Sequence, residues 1–403
     1  MSANVAYDPA AFAAATPDTS RLRLVPGPAA PRLTVCLPHA HKGHVFGGLT
    51  SVLELARFLA PRYPRLRFVS LSPLPEDGSR LDLSPFAAGR DAPPPRLVGL
   101  HDEEPLEVDA GDIFLCSFWR SVPVWEAFAA LLRRDGRPAN PFYYFIQDWE
   151  PGFYPLGADH LLAETTYGHG APCLAVVNSQ ELARFLTRKR YGFGAMVAVR
   201  PSLNPALAQV LSALGRQLPP RPADRLTILA YGRPGHPRNC FPAVLSCLWR
   251  WLRDHRPGLA VPVRLLSAGT PHETVVFPDG SELASLGMLS LPDYAATLLQ
   301  SHVGLSFMAS PHPSYPPLEM AAFGLEVVTN AFAGKDLSRT HPAIRNAPPH
   351  RPAEAAAALD QAITAALARA GRPGQAVLPA SLCPDGWQAN FRRAGLPVLT
   401  PAV

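Results

Sequence analysis

The chain has little cysteine: six in 403 residues, at Cys36, Cys116, Cys173, Cys240, Cys247 and Cys383, with no Cys-x-x-Cys pair among them. Several sit inside apolar, strand-like runs, so the pattern supports neither a disulfide framework nor a zinc site and reads as reduced and intracellular. Long apolar runs are missing too. No stretch reaches the about 18 apolar residues that a membrane helix needs, and the N-terminus, with Asp8 and Asp18, lacks a basic start followed by an uninterrupted apolar segment. The expectation is a cytoplasmic protein whose contact with the inner membrane is peripheral at most. RNP, zinc-finger and helix-turn-helix patterns are absent, so no nucleic-acid partner is expected. The net charge of +5 and pI near 9.0 then point to an anionic small ligand or a negatively charged surface.

What the chain does have is apolar residues, 47% of the total, and a length that suggests two domains at roughly 100–200 residues each. The 47 prolines and 29 glycines are a compositional habit from which no function is drawn. Residues 1–31 show no period and are expected to be a variable lead-in. From Arg32 the pattern alternates between buried strands (33–37, 66–71, 112–116, 142–146, 174–177) and helices (from Gly47-Gly48 to Leu59, Trp125 to Leu132, Gln180 to about Arg190), the last capped by Asn178-Ser179. Arg200 to Pro205, a helical segment and Pro219 to Pro222 mark a linker. A second series follows, with strands at 226–230, 263–267, 303–307 and 326–329 and helices at 241–255, 292–300 and 317–323. The expected boundaries are 32–203, 204–380 and a final segment 381–403. Continuous apolar strands alternating with helices predict two Rossmann-like, doubly wound α/β domains with parallel sheets, whose ligands bind beyond the carboxyl ends of the strands.

The loops at those ends carry the candidate chemistry. Ser310 to Gly324 places Glu319 on a short helix behind a polar, proline-stiffened loop that contains His312, Ser314 and Tyr315. Pro317 suits a first helical position and Gly324 a left-handed stop, so N–H groups of the Ser314-Tyr315 turn would face a phosphate while Glu319 accepts sugar hydroxyls. An ordinary proline-rich turn before a helix is the competing reading. Gly232 permits close backbone approach, and Arg233 and Arg238, five residues apart at a strand's carboxyl end, would neutralise a diphosphate; two solvated loop arginines are the competing reading, and the strand-end position favours phosphate. Gly47-Gly48 opens a helix and could cradle a phosphate or a sugar edge. His39, His41 and His44 lack a local carboxylate or cysteine, which favours a polar substrate-facing loop over a metal site, and no metal or other cofactor is expected. Gln147, Asp148 and Glu150 bring an amide and two carboxylates to a strand end, for acceptor hydroxyls or proton transfer; one of the two carboxylates is expected only to cap the next turn. Pro151 to Pro155 reads as an aromatic rim for sugars or as a core-facing turn. Arg184, Arg188, Lys189 and Arg190 read as a solvated basic helix end, with anionic lipid as the alternative. Nothing in the sequence sets an oligomeric state.

Phe145 to Pro155, Val177-Asn178-Ser179, Tyr231-Gly232-Arg233-Pro234 with Pro237-Arg238-Asn239, and Pro311 to Ala322 together resemble a GT-B glycosyltransferase of family 4 type, and more closely the bacterial WsaF-like rhamnosyltransferases. The resemblance spans about residues 32 to 340 in order. It implies that Arg233 and Arg238 occupy the places of an Arg and a Lys that grip the donor diphosphate. Of the family's two glutamates seven residues apart, Glu319 matches the later, ribose-binding one, and Pro311 stands at the earlier, sugar-binding one, leaving His312 and Ser310 as substitutes. It further implies a 6-deoxyhexose donor such as dTDP-L-rhamnose, a glycan or lipid-linked saccharide acceptor, retention, independence of metal, and a final segment returning to the first domain. A GT-B sugar-nucleotide epimerase and a non-catalytic glycan- or partner-binding protein are the alternatives.

Overall fold

In the computed structural model the described residues are 18–27, 30–44, 47–76, 78–87, 93–168, 170 and 172–402. The chain divides into two compact units, one made of Met1–Asn178, Lys189–Val199 and Trp387–Val403, the other of Ser179–Arg188 and Arg200–Gly386.

The first unit holds β1 (Leu22–Leu24), β2 (Arg32–Leu37), α1 (Gly48–Leu59), β3 (Arg65–Ser70), β4 (Arg96–Gly99), β5 (Leu106–Val108), β6 (Asp112–Cys116), α2 (Val122–Arg134), β7 (Phe142–Ile146), α3 (Ala158–Thr165), β8 (Cys173–Val177) and β9 (Ala195–Ala198). Seven of these strands form one sheet in the order β4-β3-β2-β6-β7-β8-β9, every pair parallel. All five residues of β6, β7 and β8 are buried, as sheets covered on both faces require. Of the lead-in, residues 1–17 and 28–29 lie outside the described residues, but Leu22–Leu24 is not variable coil: it pairs in parallel with Leu106–Val108. A three-residue strand has too short a pattern to read by period.

The last helix, Gly386–Ala394, contributes Trp387 and Phe391 to this unit, with Phe391 5.5 Å from Phe58 of α1. The chain after it is held by the hydroxyls of two buried tyrosines. Tyr63 donates to the carbonyl of Leu399 at 2.8 Å, and the Leu399 N–H donates to Tyr143 at 2.9 Å.

The second unit contains α4 (Gln180–Arg188), α5 (Pro205–Ala213), β10 (Gln217–Leu218), β11 (Leu226–Gly232), α6 (Phe241–Asp254), β12 (Val263–Gly269), β13 (Val275–Val276), β14 (Glu282–Gly287), α7 (Leu291–Gln300), β15 (Val303–Leu305), α8 (Tyr315–Ala322), β16 (Glu326–Thr329), β17 (Ile344–Asn346), α9 (Pro352–Leu367) and β18 (Gly374–Gln375). The Ser179 hydroxyl accepts the Leu182 N–H, the predicted cap of α4. The main sheet runs β13-β14-β12-β11-β15-β16-β17; only the edge pair β13–β14 is antiparallel. Along β11, Leu226, Ile228 and Ala230 pack on one face with α6 and α9, while Leu229 packs on the other with α5, α7 and α8. That alternation makes the sheet doubly wound. Helix α6 buries Phe241, Val244, Cys247, Leu248, Trp251 and Leu252, a stripe at helical spacing.

Candidate functional site

In the second unit the loops that follow β11, β15 and β16 lie on neighbouring strands of the sheet. Strand β11 ends in Gly232, where a Cβ would fall 1.9 Å from the Ser267 hydroxyl of β12. Only glycine fits so near the next strand. The His236 N–H then donates to the Arg233 carbonyl at 3.0 Å, closing a tight turn, and the 3-10 turn Pro237–Asn239 follows directly. Arg233 and Arg238 are thereby held on one short loop, with the His236 ring between them in sequence. Arg233 Nη2 lies 2.8 Å from His236 Nε2, and burial together with the charges of Arg233 and Arg238 lowers the His236 pKa.

This loop is joined to the one before α8. The Ala309 N–H donates to the Arg238 carbonyl at 2.7 Å, and Ser310 follows at once. Within the Ser310 loop the Ser310 hydroxyl accepts the His312 N–H at 3.0 Å and His312 Nδ1 accepts the Ser314 N–H at 3.1 Å. The Ser314 N–H is therefore turned inward, not toward a ligand as the sequence suggests. Ser314 adopts φ +70°, a region that non-glycine residues enter at a cost. The His312 ring packs 5.7 Å from Tyr315. Helix α8 starts at Tyr315, two residues earlier than predicted, so Pro317 is its third residue and Glu319 lies beyond its first turn. Gly324, at φ +81°, ends it.

Glu319 is half-buried, and burial pushes its carboxyl up to about 7, while a hydrogen bond from the Tyr294 hydroxyl of α7 works in the opposite direction. The Tyr294 hydroxyl is in turn raised by burial and by Glu319 and Tyr231, the residue preceding Gly232. The sequence gives no hint of this tyrosine partner, since nothing in its spacing marks Tyr294.

Lys335 is a further residue that the motif reading misses. It is buried, and its Nζ donates to the Met308 carbonyl at 3.1 Å, beside Asn330, which bonds both the Met308 N–H and its carbonyl. A hairpin-like turn aims it, with Phe332 and Lys335 exchanging backbone hydrogen bonds across Ala333 and Gly334 at positive φ. A signal did exist: of 37 basic residues only Lys42, Lys189 and Lys335 are lysines.

In the first unit, Gly47 at φ +43° precedes α1, and Gly48 is its first residue; both are exposed. A Cβ on Gly48 would lie 3.0 Å from Gln147 Oε1, so these two predicted residues meet. Gln147 Nε2 donates to the Ser117 carbonyl at 3.4 Å, whereas Oε1 is buried without a hydrogen-bond partner among the described residues. The carboxylates turn to backbone. Asp148 Oδ1 accepts the Trp149 N–H at 2.8 Å, and Glu150 Oε2 accepts the Trp119 N–H at 2.6 Å, pinning the turn after β6. The aromatic segment is stitched likewise, with Trp119 Nε1 donating to the Tyr154 hydroxyl at 3.1 Å. His39 and His41 each accept an N–H of their own loop, from His41 and Gly43. Val45 and Phe46 of that loop lie outside the described residues. Among the described residues no group of three or more His, Cys, Asp or Glu side chains is arranged to hold a metal ion.

Two family models match in order: the WsaF N-terminal domain over residues 32–180 and the WsaF C-terminal domain over 226–360. The chain belongs to the WsaF family. Its two parallel-sheet, Rossmann-like units have the GT-B fold. A curated relative, the O-antigen biosynthesis protein RfbC of Myxococcus xanthus, is 33% identical over 295 residues, 72% of this chain and 21% of that protein. The chain thus spans about a fifth of that relative's length. Among solved structures, sucrose-phosphate synthase from Thermosynechococcus elongatus is similar with a TM-score of 0.54 at 14% identity, covering 90% of this chain and 94% of that one. The Anabaena protein HepE, solved with UDP and glucose, is similar with a TM-score of 0.51 at 12% identity, covering 84% of this chain and 93% of that one. At such identities the likeness is one of fold.

Proposed function

We propose that this WsaF-family protein transfers a hexose or 6-deoxyhexose, with L-rhamnose from dTDP-L-rhamnose as the first candidate, from a nucleotide sugar to a glycan or lipid-linked saccharide, with retention and without a metal ion. The observation that carries the reading is the double-arginine loop: Arg233, against the His236 ring, and Arg238 lie on one short loop, and the Arg238 carbonyl is bonded to the chain entering the Ser310–Tyr315 loop. Two guanidinium groups on a rigid loop beyond a strand's carboxyl end suit a diphosphate and stabilise the charge it gains as a leaving group. RfbC, an O-antigen biosynthesis protein, supports a glycan product, and HepE, solved with UDP and glucose, supports a nucleotide-sugar donor.

In this reading Glu319, once ionised, accepts the ribose hydroxyls. Those donors favour the carboxylate and would draw its pKa down from about 7. Ser310, His312, Ser314 and Tyr315 line the transferred sugar and its phosphate, with Pro311 excluding the usual glutamate. Gly47, Gly48 and the open Oε1 of Gln147 meet the acceptor, Asp148 assists the acceptor hydroxyl, and Glu150 holds the edge in shape through Trp119. We place the protein at the cytoplasmic face of the inner membrane. No helix among the described residues is long and apolar enough to cross a membrane, and Leu156, Leu161 and Leu162, beside and on α3, are exposed and suited to peripheral contact.

Nucleoside diphosphate release from a panel of nucleotide sugars, with and without saccharide acceptors, tests this. Acceptor-dependent release is expected, unchanged by EDTA and greatest with dTDP-L-rhamnose. Sugar conversion without acceptor would favour an epimerase. Failure to bind or consume any donor would leave only a binding role.

A further inference from the structure

We infer that His236 is the positioning residue that presents Arg233 to the diphosphate, an inference that rests on the donor reading above. A guanidinium only donates hydrogen bonds, so the 2.8 Å contact from Arg233 Nη2 makes His236 Nε2 the acceptor. The ring is then neutral, with its proton on Nδ1. That Nδ1 is buried and finds no acceptor among the described residues. The other tautomer would set an Nε2–H against a guanidinium N–H, so the ring keeps its lone pair on Arg233 although Nδ1–H goes unsatisfied. Burial and the two flanking arginines hold it in the neutral form that this requires.

The backbone reinforces the arrangement. Arg233 and His236 are the first and last residues of one turn, closed by the His236 N–H to the Arg233 carbonyl at 3.0 Å, and the Asn239 N–H caps the His236 carbonyl at 2.9 Å. Main chain and side chain thus fix the same pair. Arginine otherwise carries a large rotamer entropy into any complex, and the like charge of Arg238 would push it aside. His236 lends no charge to the diphosphate; it fixes the angle at which Arg233 meets it.

The test is calorimetric binding of dTDP and UDP to the whole protein. His236→Leu is expected to weaken binding about tenfold, as loss of pre-organisation does, and to change binding of the parent nucleosides little. His236→Gln, whose Oε1 can reach the Nε2 position, should stay within about threefold of the wild type, whereas the shorter His236→Asn should not. In the double variant Arg233→Ala/His236→Leu the second change should add nothing to the first, because both remove one interaction. Wild-type binding by His236→Leu, additive losses in the double variant, or equal behaviour of the Gln and Asn variants would each overturn the inference. If His236→Leu does not fold, the Gln and Asn pair decides alone. Undiminished dTDP and UDP binding by Arg233→Ala would instead remove the diphosphate reading and the inference together.

Discussion

At the carboxyl edge of the second sheet, Arg233 meets a neutral imidazole; at the carboxyl edge of the first, Asp148 and Glu150 meet backbone N–H groups. As strings of polar residues both edges are candidates, with one of the two carboxylates expected only to cap a turn. A carboxylate that accepts an N–H at 2.6 Å across 31 residues has work to do in the fold, and its charge is largely answered there. A guanidinium resting on an uncharged ring keeps its charge for something else. Charge at a strand end points to a ligand when its partners leave that charge unanswered.

The sharpest way to break this contrast is Arg233→Ala, expected to lower kcat/KM by about 10²–10³-fold, the scale of one lost electrostatic donor, while leaving Tm unchanged. Glu150→Ala should do the reverse, costing about 1–3 kcal/mol in chemical denaturation as the Trp119 N–H loses its acceptor, with a smaller effect on turnover. If the two variants exchanged these phenotypes, the contrast would be wrong. Gly232→Ala is expected to cost about 1–3 kcal/mol through overpacking against the Ser267 hydroxyl, and a second change, Ser267→Ala, should recover part of it; no recovery would mean that the strand approach is not what demands glycine.

Glu319 gives a pH signature. Its folded-state pKa is raised from an ordinary 4.5 to about 7, so the folded protein holds this proton more tightly than the unfolded chain does. Stability from this group is therefore lost as pH rises through 4.5 to 7. Glu319→Gln should gain in Tm over the wild type on moving from pH 5 to pH 8, and an equal difference at both values would show that burial does not perturb this carboxyl. The smallest effect is expected from Gly48→Ala: at this first helical position the propensity gain falls below the about 0.5–1 kcal/mol of a helix interior, and the close approach of Gln147 Oε1 at 3.0 Å opposes it, leaving stability within roughly 0.5 kcal/mol of the wild type. A larger gain in stability would show that Gln147 yields easily and does not crowd Gly48.

Much of the fold could be read in the sequence where burial on both faces leaves a continuous apolar run, as in Phe142 to Ile146 or Cys173 to Val177. Gly324 and the Ser179 cap were legible because their chemistry is local. Leu22–Leu24, the antiparallel edge of Val275-Val276, and the partners of Glu319 and Glu150 were not. Leu22–Leu24 and the two glutamates depend on residues brought near only by the tertiary fold, while the edge pair, matched locally to Glu282-Leu283, is two residues long and too short to show a period. Ser314 shows a local limit instead: a turn was evident, but the inward bond of its N–H to His312, two residues back, accompanies a left-handed backbone that serine seldom advertises.

The tyrosine clasp has a consequence for how the protein is made. Tyr63 and Tyr143 belong to strands and turns synthesised early, yet their hydroxyls meet the backbone of Leu399, and Trp387 and Phe391 join the same unit. On the ribosome the first unit waits, incomplete, while the entire second unit is translated. The part that begins first is finished last, and its nascent surface around Phe58 stays uncovered for most of elongation.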